Sequence, residues 1–311
     1  MQTVAVVLEA PERLKISRLS LDDPGEDDLV VDIEWSGIST GTERLLYTGT
    51  MPAFPGMGYP LVPGYESVGR VVAAGAKATV QRGERVFVPG ARCYGEVRGL
   101  FGGAASRIVV PQSRVVPLGT AVGEESVLLA LAATAYHAIA GLPVLPELIV
   151  GHGVLGRLIA RIVLAKGGEP VIWERNSVRA GGKRGYTVLD PADDDRFNYR
   201  AICDASGDPD LLNSLIARLA PRGEVVLAGF YTEPLSFLFA PAFMREARLR
   251  VAAEWQPDDL DAVQAMVETG ALSLRGLITH RENAERASDA YRTAFNDPYC
   301  LKMILNWRNC A

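Results

Sequence analysis

The sequence is short of the side chains from which metal and disulfide centres are built. Its 311 residues hold four cysteines and three histidines. Cys93, Cys203, Cys300 and Cys310 show no C-x-x-C spacing, and a chain of this length builds its core without cross-links, so free thiols are expected. His137, His152 and His280 leave few ways to assemble a zinc site from imidazole and thiolate. No apolar run reaches the roughly 18 residues that a spanning helix needs, so no integral membrane segment is expected. A positive excess is also missing. The 32 Lys and Arg stand against 37 Asp and Glu, a formal net charge of −5, which lacks the basic footprint that nucleic acid requires. The opening MQTVAVVLEAPERL carries Glu9 and Glu12 where an export signal would be basic and then apolar. A cytoplasmic location is the expectation.

What is present is an ordinary globular composition, 48% hydrophobic and 22% charged, in a length that suits two domains at ~150 residues each. The two halves follow different patterns. Over the first 120 residues, short runs such as TVAVVL, DLVVDIEW, ERVFVPG and SRIVVP are broken by Pro and Gly, which reads as a small barrel or sandwich. Residues 124–141, EESVLLALAATAYHAIAG, are rich in Ala and Leu and predict a buried linking helix. From about 143 to 255, six near-continuous apolar runs alternate with helical or turn segments. That alternation predicts a parallel, doubly wound sheet, so the fold class is α/β with a β-rich first domain. The remainder, through ENAERASDAYRTAF to CLKMILNW, predicts two helices and a last strand that returns to the first domain.

The strongest chemical signal is LIVGHGVLGRLIARIVLAKG, in which Gly151, Gly153 and Gly156 form G-x-G-x-x-G between an apolar strand and an amphipathic helix. Glycines there permit a tight turn and close backbone approach, while the helix start at Val154 and Leu155 presents free N–H groups to a pyrophosphate. Glu174, at the end of VIWE, lies 18 residues beyond Gly156, near the spacing at which a carboxylate accepts the hydroxyls of an adenosine ribose. A carboxylate there repels a 2′-phosphate, which favours NAD over NADP. Arg175 beside it could pair with that phosphate instead, and the sequence leaves the choice open. Ser206, Gly207 and Gly229 follow later strands at the edge where open sheets of this kind bind ligands, and join the expected cofactor site.

The order of these units resembles the medium-chain dehydrogenase/reductase superfamily. GYESVGRVVAAGAKA (64–78) looks like its G-H-E-x-x-G signature, and GGAASRIVVPQSRVVPLG (102–119) resembles a later strand of its barrel. The resemblance implies a GroES-like catalytic domain over 1–125, a Rossmann NAD-binding domain over 126–255 and a C-terminal return over 256–311. Zinc-dependent members carry a His and a Cys as ligands where this chain has Tyr65 and Ser39, so no zinc is expected. More narrowly, SGISTGTERLLYTGTMPAFPGMGYPLVPGYESVGR (36–70) and FVPGARCYGEVRGLFGGAA (87–105) resemble a dehydrogenase family of bacteriochlorophyll biosynthesis. That likeness implies oxidation of the hydroxyethyl group on ring A of a bacteriochlorophyllide-type tetrapyrrole to an acetyl group. Two alternatives stay open: a zinc-free NADPH quinone or enone reductase, and a catalytically silent nucleotide-binding protein. A homodimer is the default for the superfamily.

Without metal, loss of the carbinol proton needs an acceptor or relay, and candidates lie where zinc ligands would stand. Tyr65 is one, provided that its pKa is lowered. Glu66 could act as base or orient Tyr65, or simply pair with Arg44 or Arg70. Ser39, Thr40 and Thr42 lie near the place of a hydroxyl relay. On the linking helix, His137 is a weaker catalytic candidate and Thr134 a candidate nicotinamide contact. For the substrate, Arg44, Arg92, Arg98 or Arg107 could meet a propionate, since the planar guanidinium suits a carboxylate. Met51, Phe54, Met57, Tyr59 and Tyr94 supply apolar surface for a flat macrocycle.

Overall fold

Alternation of β-branched residues with polar ones turns one face of each early strand inward, and two sheets result. A computed structural model describes residues 1–119, 123–182 and 185–310. It divides into two units, 1–130 with 275–311, and 131–274.

In the first unit, Gln2–Ala10 pairs with Arg13–Ser20 and with Leu61–Val62, which also pairs with Arg98–Gly99. The larger sheet runs His280–Asn283, Met303–Asn306, Asp28–Ile38, Ser67–Ala74, Arg85–Val88 and Val116–Pro117, with Arg107–Pro111 also on Asp28–Ile38. Val6, Val31, Val86 and Ile108 lie at 0% exposure between the sheets, each contributing about 1.5–3 kcal/mol by burial. The chain end enters this barrel as an integral strand. Met303–Asn306 pairs antiparallel with Asp28–Ile38, setting Met303 opposite Ile38 and Ile304 opposite Gly37.

The second unit holds a six-stranded, all-parallel sheet. Its order is Thr187–Leu189, Val171–Trp173, Leu148–Val150, Tyr199–Asp204, Leu219–Leu227 and Arg248–Val251. Numbered along the chain this is 3-2-1-4-5-6, the doubly wound order in which the topology reverses beside the first strand. Leu148, Ile202 and Val225 are fully buried, as a sheet covered on both faces requires.

The linking segment is a 3-10 turn, Glu124–Leu128, followed by the α-helix Leu129–Ile139. The sequence reading assigns 256–311 to the return, yet the helix Pro257–Glu268 falls in the second unit, and the first unit resumes at Arg275. A physical tie explains this placement: Asp259 in that helix meets His137 Nδ1 at 2.8 Å and also closes a capping box with Gln256.

Candidate active site

The glycine-rich turn follows directly from the strand before it. Leu148–Val150 is buried, and the chain leaves it at Gly151 with φ +95°, a conformation that glycine adopts without strain. Gly153 caps the helix Val154–Ala165, which has no side-chain cap, so its first N–H groups are left for another acceptor. A Cβ at Gly153 would meet nothing within 4 Å, whereas one at Gly156 would lie 1.8 Å from the Gly151 carbonyl oxygen. The first glycine leaves open space beside the helix start and the second lets the helix close on the strand. Val154 is buried and Leu155 partly exposed on the first turn. Open space, unpaired N–H groups and the helix dipole together fit a pyrophosphate.

Around this turn, Glu174 accepts the His152 N–H at 3.1 Å and the Asn176 N–H at 2.8 Å. Its negative charge is thereby fixed at the end of the Val171–Trp173 strand. Arg175 pairs with Asp208 at 2.9 Å. Gly207, at φ +70°, and Gly229 pack so closely that a Cβ on Gly229 would come 2.6 Å from the Gly207 nitrogen. Ser206 spends its hydroxyl on Asp204 Oδ1 at 2.6 Å, so it orders its own loop and offers a ligand no free hydroxyl there. Burial raises the Asp204 carboxyl above the usual range. In the same strand, burial and Asp204 push the Cys203 thiol up to about 12, which leaves it unreactive.

The sequence reading missed the strap over this turn. His152, the variable residue inside G-H-G, is fully buried and bonds the Arg179 carbonyl at 2.6 Å and the Tyr186 hydroxyl at 3.0 Å. Arg157 donates to the carbonyls of His152, Arg179 and Gly181. Burial and Arg157 lower the His152 pKa to about 4, so the imidazole is neutral and serves as structural glue. Motif spacing gives no signal for this, because that middle position tolerates any residue.

In the first unit, the residues at the vacated ligand positions meet. Tyr65 donates to Ser39 Oγ at 2.7 Å. The Ser39 N–H donates to Glu43 Oε1 at 3.0 Å, and Tyr291 donates to Glu43 Oε2 at 2.5 Å. Glu43 and Glu66 both have 0% exposure. Burial pushes the Glu43 carboxyl up to about 7 against the two hydrogen bonds that favour its charged form. Without the nicotinamide charge on which a lowered Tyr65 pKa depends, burial and the Glu66 charge raise it, so the phenol stays protonated.

Glu66 does not pair with Arg44 or Arg70. Its partner is the buried Lys302 ammonium, which sits on Glu66 Oε2, while Arg70 turns to Glu34 and Arg44 is exposed. The pair occupies a hollow above Gly37, where a Cβ would come 2.0 Å from Glu66 Oε2 and 3.1 Å from Lys302 Cε. Glu66 Oε1 has no hydrogen-bond partner among the described residues. These donors do not fit a zinc ion: an ammonium already covers the carboxylate, the other two positions carry hydroxyls, and among the described residues no three His, Cys, Asp or Glu side chains gather as a metal site.

Other expected site residues lie elsewhere. Thr40 is exposed. Met51 packs into a buried cluster with Leu8, Leu46, Leu61 and Leu100, and Met57 and Tyr59 lean on it. Tyr59 donates to the Leu46 carbonyl and buried Tyr94 donates to the Gly102 carbonyl. Met51 and Tyr94 are thus buried in packing, whereas Met57 and Tyr59 stay half-buried against it. Phe54 remains 38% exposed. Arg107 is committed to Asp32 through two hydrogen bonds. On the helix Leu129–Ile139, His137 is engaged by Asp259 and Thr134 is partly exposed.

Comparison with known proteins gives the family and the fold. Residues 25–120 match the alcohol dehydrogenase GroES-like domain. A 2-desacetyl-2-hydroxyethyl bacteriochlorophyllide A dehydrogenase of Cereibacter sphaeroides is 58% identical, with 100% of both chains aligned. A dehydrogenase of the same name from Rhodobacter capsulatus is 59% identical over 99% of both. Among solved structures, 2R,3R-butanediol dehydrogenase from Bacillus subtilis has a TM-score of 0.85 at 18% identity, over 98% of this chain and 99% of that one. An Escherichia coli dehydrogenase complexed with NADH (0.84, 21% identity) and a Sinorhizobium meliloti one bound to NADP (0.82, 21% identity) each align over 98% of this chain and 99% of their own. The fold therefore accompanies either nucleotide.

Proposed function

Because the chain belongs to the family of 2-desacetyl-2-hydroxyethyl bacteriochlorophyllide A dehydrogenases, within the medium-chain dehydrogenases with a GroES-like domain, we propose that it oxidises that pigment precursor. The chemistry follows from the substrate's structure: a hydroxyethyl group stands where an acetyl group is lacking, and removing two hydrogens from the carbinol supplies the acetyl. The observation that carries the reading is identity along the whole chain with two such dehydrogenases. The quinone reductase and silent-binder alternatives are set aside on the same ground.

A nicotinamide, when bound, would supply the acceptor for the hydride of the carbinol carbon. Gly151, Gly153, Gly156 and the first N–H groups at Val154 and Leu155 would hold its pyrophosphate, with Gly207 and Gly229 shaping the neighbouring loops. We assign NAD as the cofactor, supported by the fixed Glu174 charge and by the Arg175–Asp208 pair. Tyr65 and Ser39 form a hydrogen-bonded hydroxyl pair. Tyr65 can take the carbinol proton at its oxygen while donating its own to Ser39 Oγ, whose displaced proton passes to bulk water, so no phenolate has to exist. Such a relay contributes typically ~10²–10⁴-fold. Conjugation of the new ketone with the macrocycle lowers the demand for a Lewis acid.

No helix among the described residues is long and apolar enough to cross a membrane, and the site of action assigned is the cytoplasm. A second copy of the chain is proposed to cover Phe239, Phe243, Met244 and Val251, which are 65–75% exposed beside the edge strand Arg248–Val251. An apolar face next to an unpaired strand edge is a surface that proteins ordinarily cover. Light scattering should give a dimer for the wild type and a monomer for Met244→Glu/Val251→Glu.

The test of function is turnover. Purified protein with NAD and the hydroxyethyl bacteriochlorophyllide should yield one acetyl product per reduced nicotinamide, faster than with NADP. Nucleotide binding without product would refute the reading.

A further inference from the structure

His152 uses every polar group it has. Its N–H donates to Glu174 Oε2 at 3.1 Å, and its carbonyl accepts from Arg157 Nε at 3.0 Å. A carbonyl oxygen can only accept, so ring Nδ1, 2.6 Å from the Arg179 oxygen, carries the proton, and Nε2 accepts from the Tyr186 hydroxyl at 3.0 Å. Burial and the Arg157 charge keep the ring neutral, as this tautomer requires. One residue thereby ties together both ends of a short turn. The turn leaves its strand at Glu174, whose Oε1 accepts the Asn176 N–H at 2.8 Å. It closes where the Arg179 N–H donates to the Asn176 carbonyl at 2.9 Å and the Val178 N–H to Asn176 Oδ1 at 3.0 Å. Arg157 Nη2 then holds the Arg179 and Gly181 carbonyls, both at 2.9 Å. Each Glu174 oxygen accepts one backbone N–H and keeps a second lone pair, so both remain able to accept from the paired hydroxyls of a ribose.

We propose that the His152 imidazole is a positioning group that sets nucleotide specificity: by holding the Arg179 carbonyl it fixes the turn that aims the Glu174 carboxylate at an adenosine ribose. The ring acts through Glu174. With the turn held, the carboxylate keeps both backbone donors, accepts two ribose hydroxyls and repels a 2′-phosphate. With the turn released, the Asn176 N–H no longer has a fixed place, and Glu174 is free to rotate toward water. A carboxylate that can swing aside rejects the wrong nucleotide less well, because specificity of this kind comes from a repulsion that must stay in place. The tie is made by the side chain at the middle position of G-H-G, so the backbone pattern alone does not supply it.

This inference rests on the assignment of NAD, and the test separates the two. Calorimetry on the full chain gives dissociation constants for NAD and NADP in the wild type, His152→Leu and His152→Asn, each also combined with Glu174→Ala. Leucine fills the space without a donor, whereas the asparagine amide nitrogen stands in for Nδ1. With Glu174 present, His152→Leu should lower the preference for NAD at least ~5-fold, and His152→Asn should stay within about threefold of the wild type. With Glu174→Ala, neither change should move the ratio by more than about twofold, since residues that act as a unit are not additive. A general loosening of the unit weakens both nucleotides alike and leaves the ratio where it was. An unchanged ratio in His152→Leu, an equal drop for Leu and Asn, or the same drop with and without Glu174 would overturn the proposal and leave the NAD assignment standing. A wild type that binds NADP as tightly as NAD would remove both. Melting curves check folding. Should His152→Leu not fold, Tyr186→Phe, which removes the hydroxyl from Nε2, takes its place with a drop of at least ~3-fold expected, and an unchanged ratio there overturns the proposal equally.

Discussion

Replacing Glu43 by glutamine tests the electrostatics of the barrel site where its magnitude can be worked out. Glu43 is fully buried and accepts from the Ser39 N–H and the Tyr291 hydroxyl. Burial moves its pKa from 4.5 to about 7. At 1.36 kcal/mol per unit, that shift is worth ~3 kcal/mol of linkage between protonation and folding. Because the folded value is the higher one, the stabilisation is fully present below pH 4.5, where both states are protonated. It is lost as pH rises to about 7, because the unfolded chain ionises first. Glutamine keeps the shape of the protonated acid, its amide serving as donor, and cannot ionise. Urea unfolding of both proteins across this range should therefore show the wild type losing ~3 kcal/mol relative to Glu43→Gln, with the gap levelling above about pH 7. All other titrations are common to both and cancel. A gap independent of pH would refute the reasoning, since it would mean that Glu43 ionises in the folded protein as readily as in water.

Three further outcomes follow from the same geometry. Gly156→Ala puts a methyl group 1.8 Å from a backbone oxygen, so calorimetry should show nucleotide affinity lowered at least ~10-fold as the turn and helix separate. Tyr65→Phe breaks the hydroxyl pair and should lower kcat by ~10²-fold while leaving the Michaelis constant for NAD unchanged in steady-state kinetics. Glu174→Ala removes the charge at the strand end, and the ratio of NAD to NADP specificity constants should fall at least ~10-fold, about 1.4 kcal/mol.

The second unit was legible because its signals are local. Near-continuous apolar runs between helical segments indicate parallel strands, and the glycine spacing is dictated by one turn, so Gly151, Gly153, Gly156 and Glu174 could be placed on a strand–turn–helix unit from the chain alone. Its strap could not be foreseen, since His152 meets Tyr186 across 34 residues of sequence. In the first unit, the contact of Tyr65 with Ser39 was foreshadowed by both standing at ligand positions. The partner of Glu66 was hidden because Lys302 lies in an ordinary apolar run, CLKMILNW, and only the pairing of the last strand, which begins at Met303, with Asp28–Ile38 brings it there. Methionines and tyrosines of the proline-rich loop were read as substrate surface because composition does not distinguish a ligand-facing apolar group from one that packs under its own loop. Met51 and Tyr59 take the second option, and Tyr94, outside that loop, also packs in the core.

The central claim is that a carbinol on the macrocycle gives its hydrogen directly to the nicotinamide. It is tested by placing deuterium on the carbinol carbon of the hydroxyethyl group and recovering the nucleotide after a single turnover. One deuterium per molecule in the reduced nicotinamide, with none released to water, is the outcome the account predicts. Deuterium appearing in the solvent, or acetyl product formed without labelled nucleotide, would contradict it.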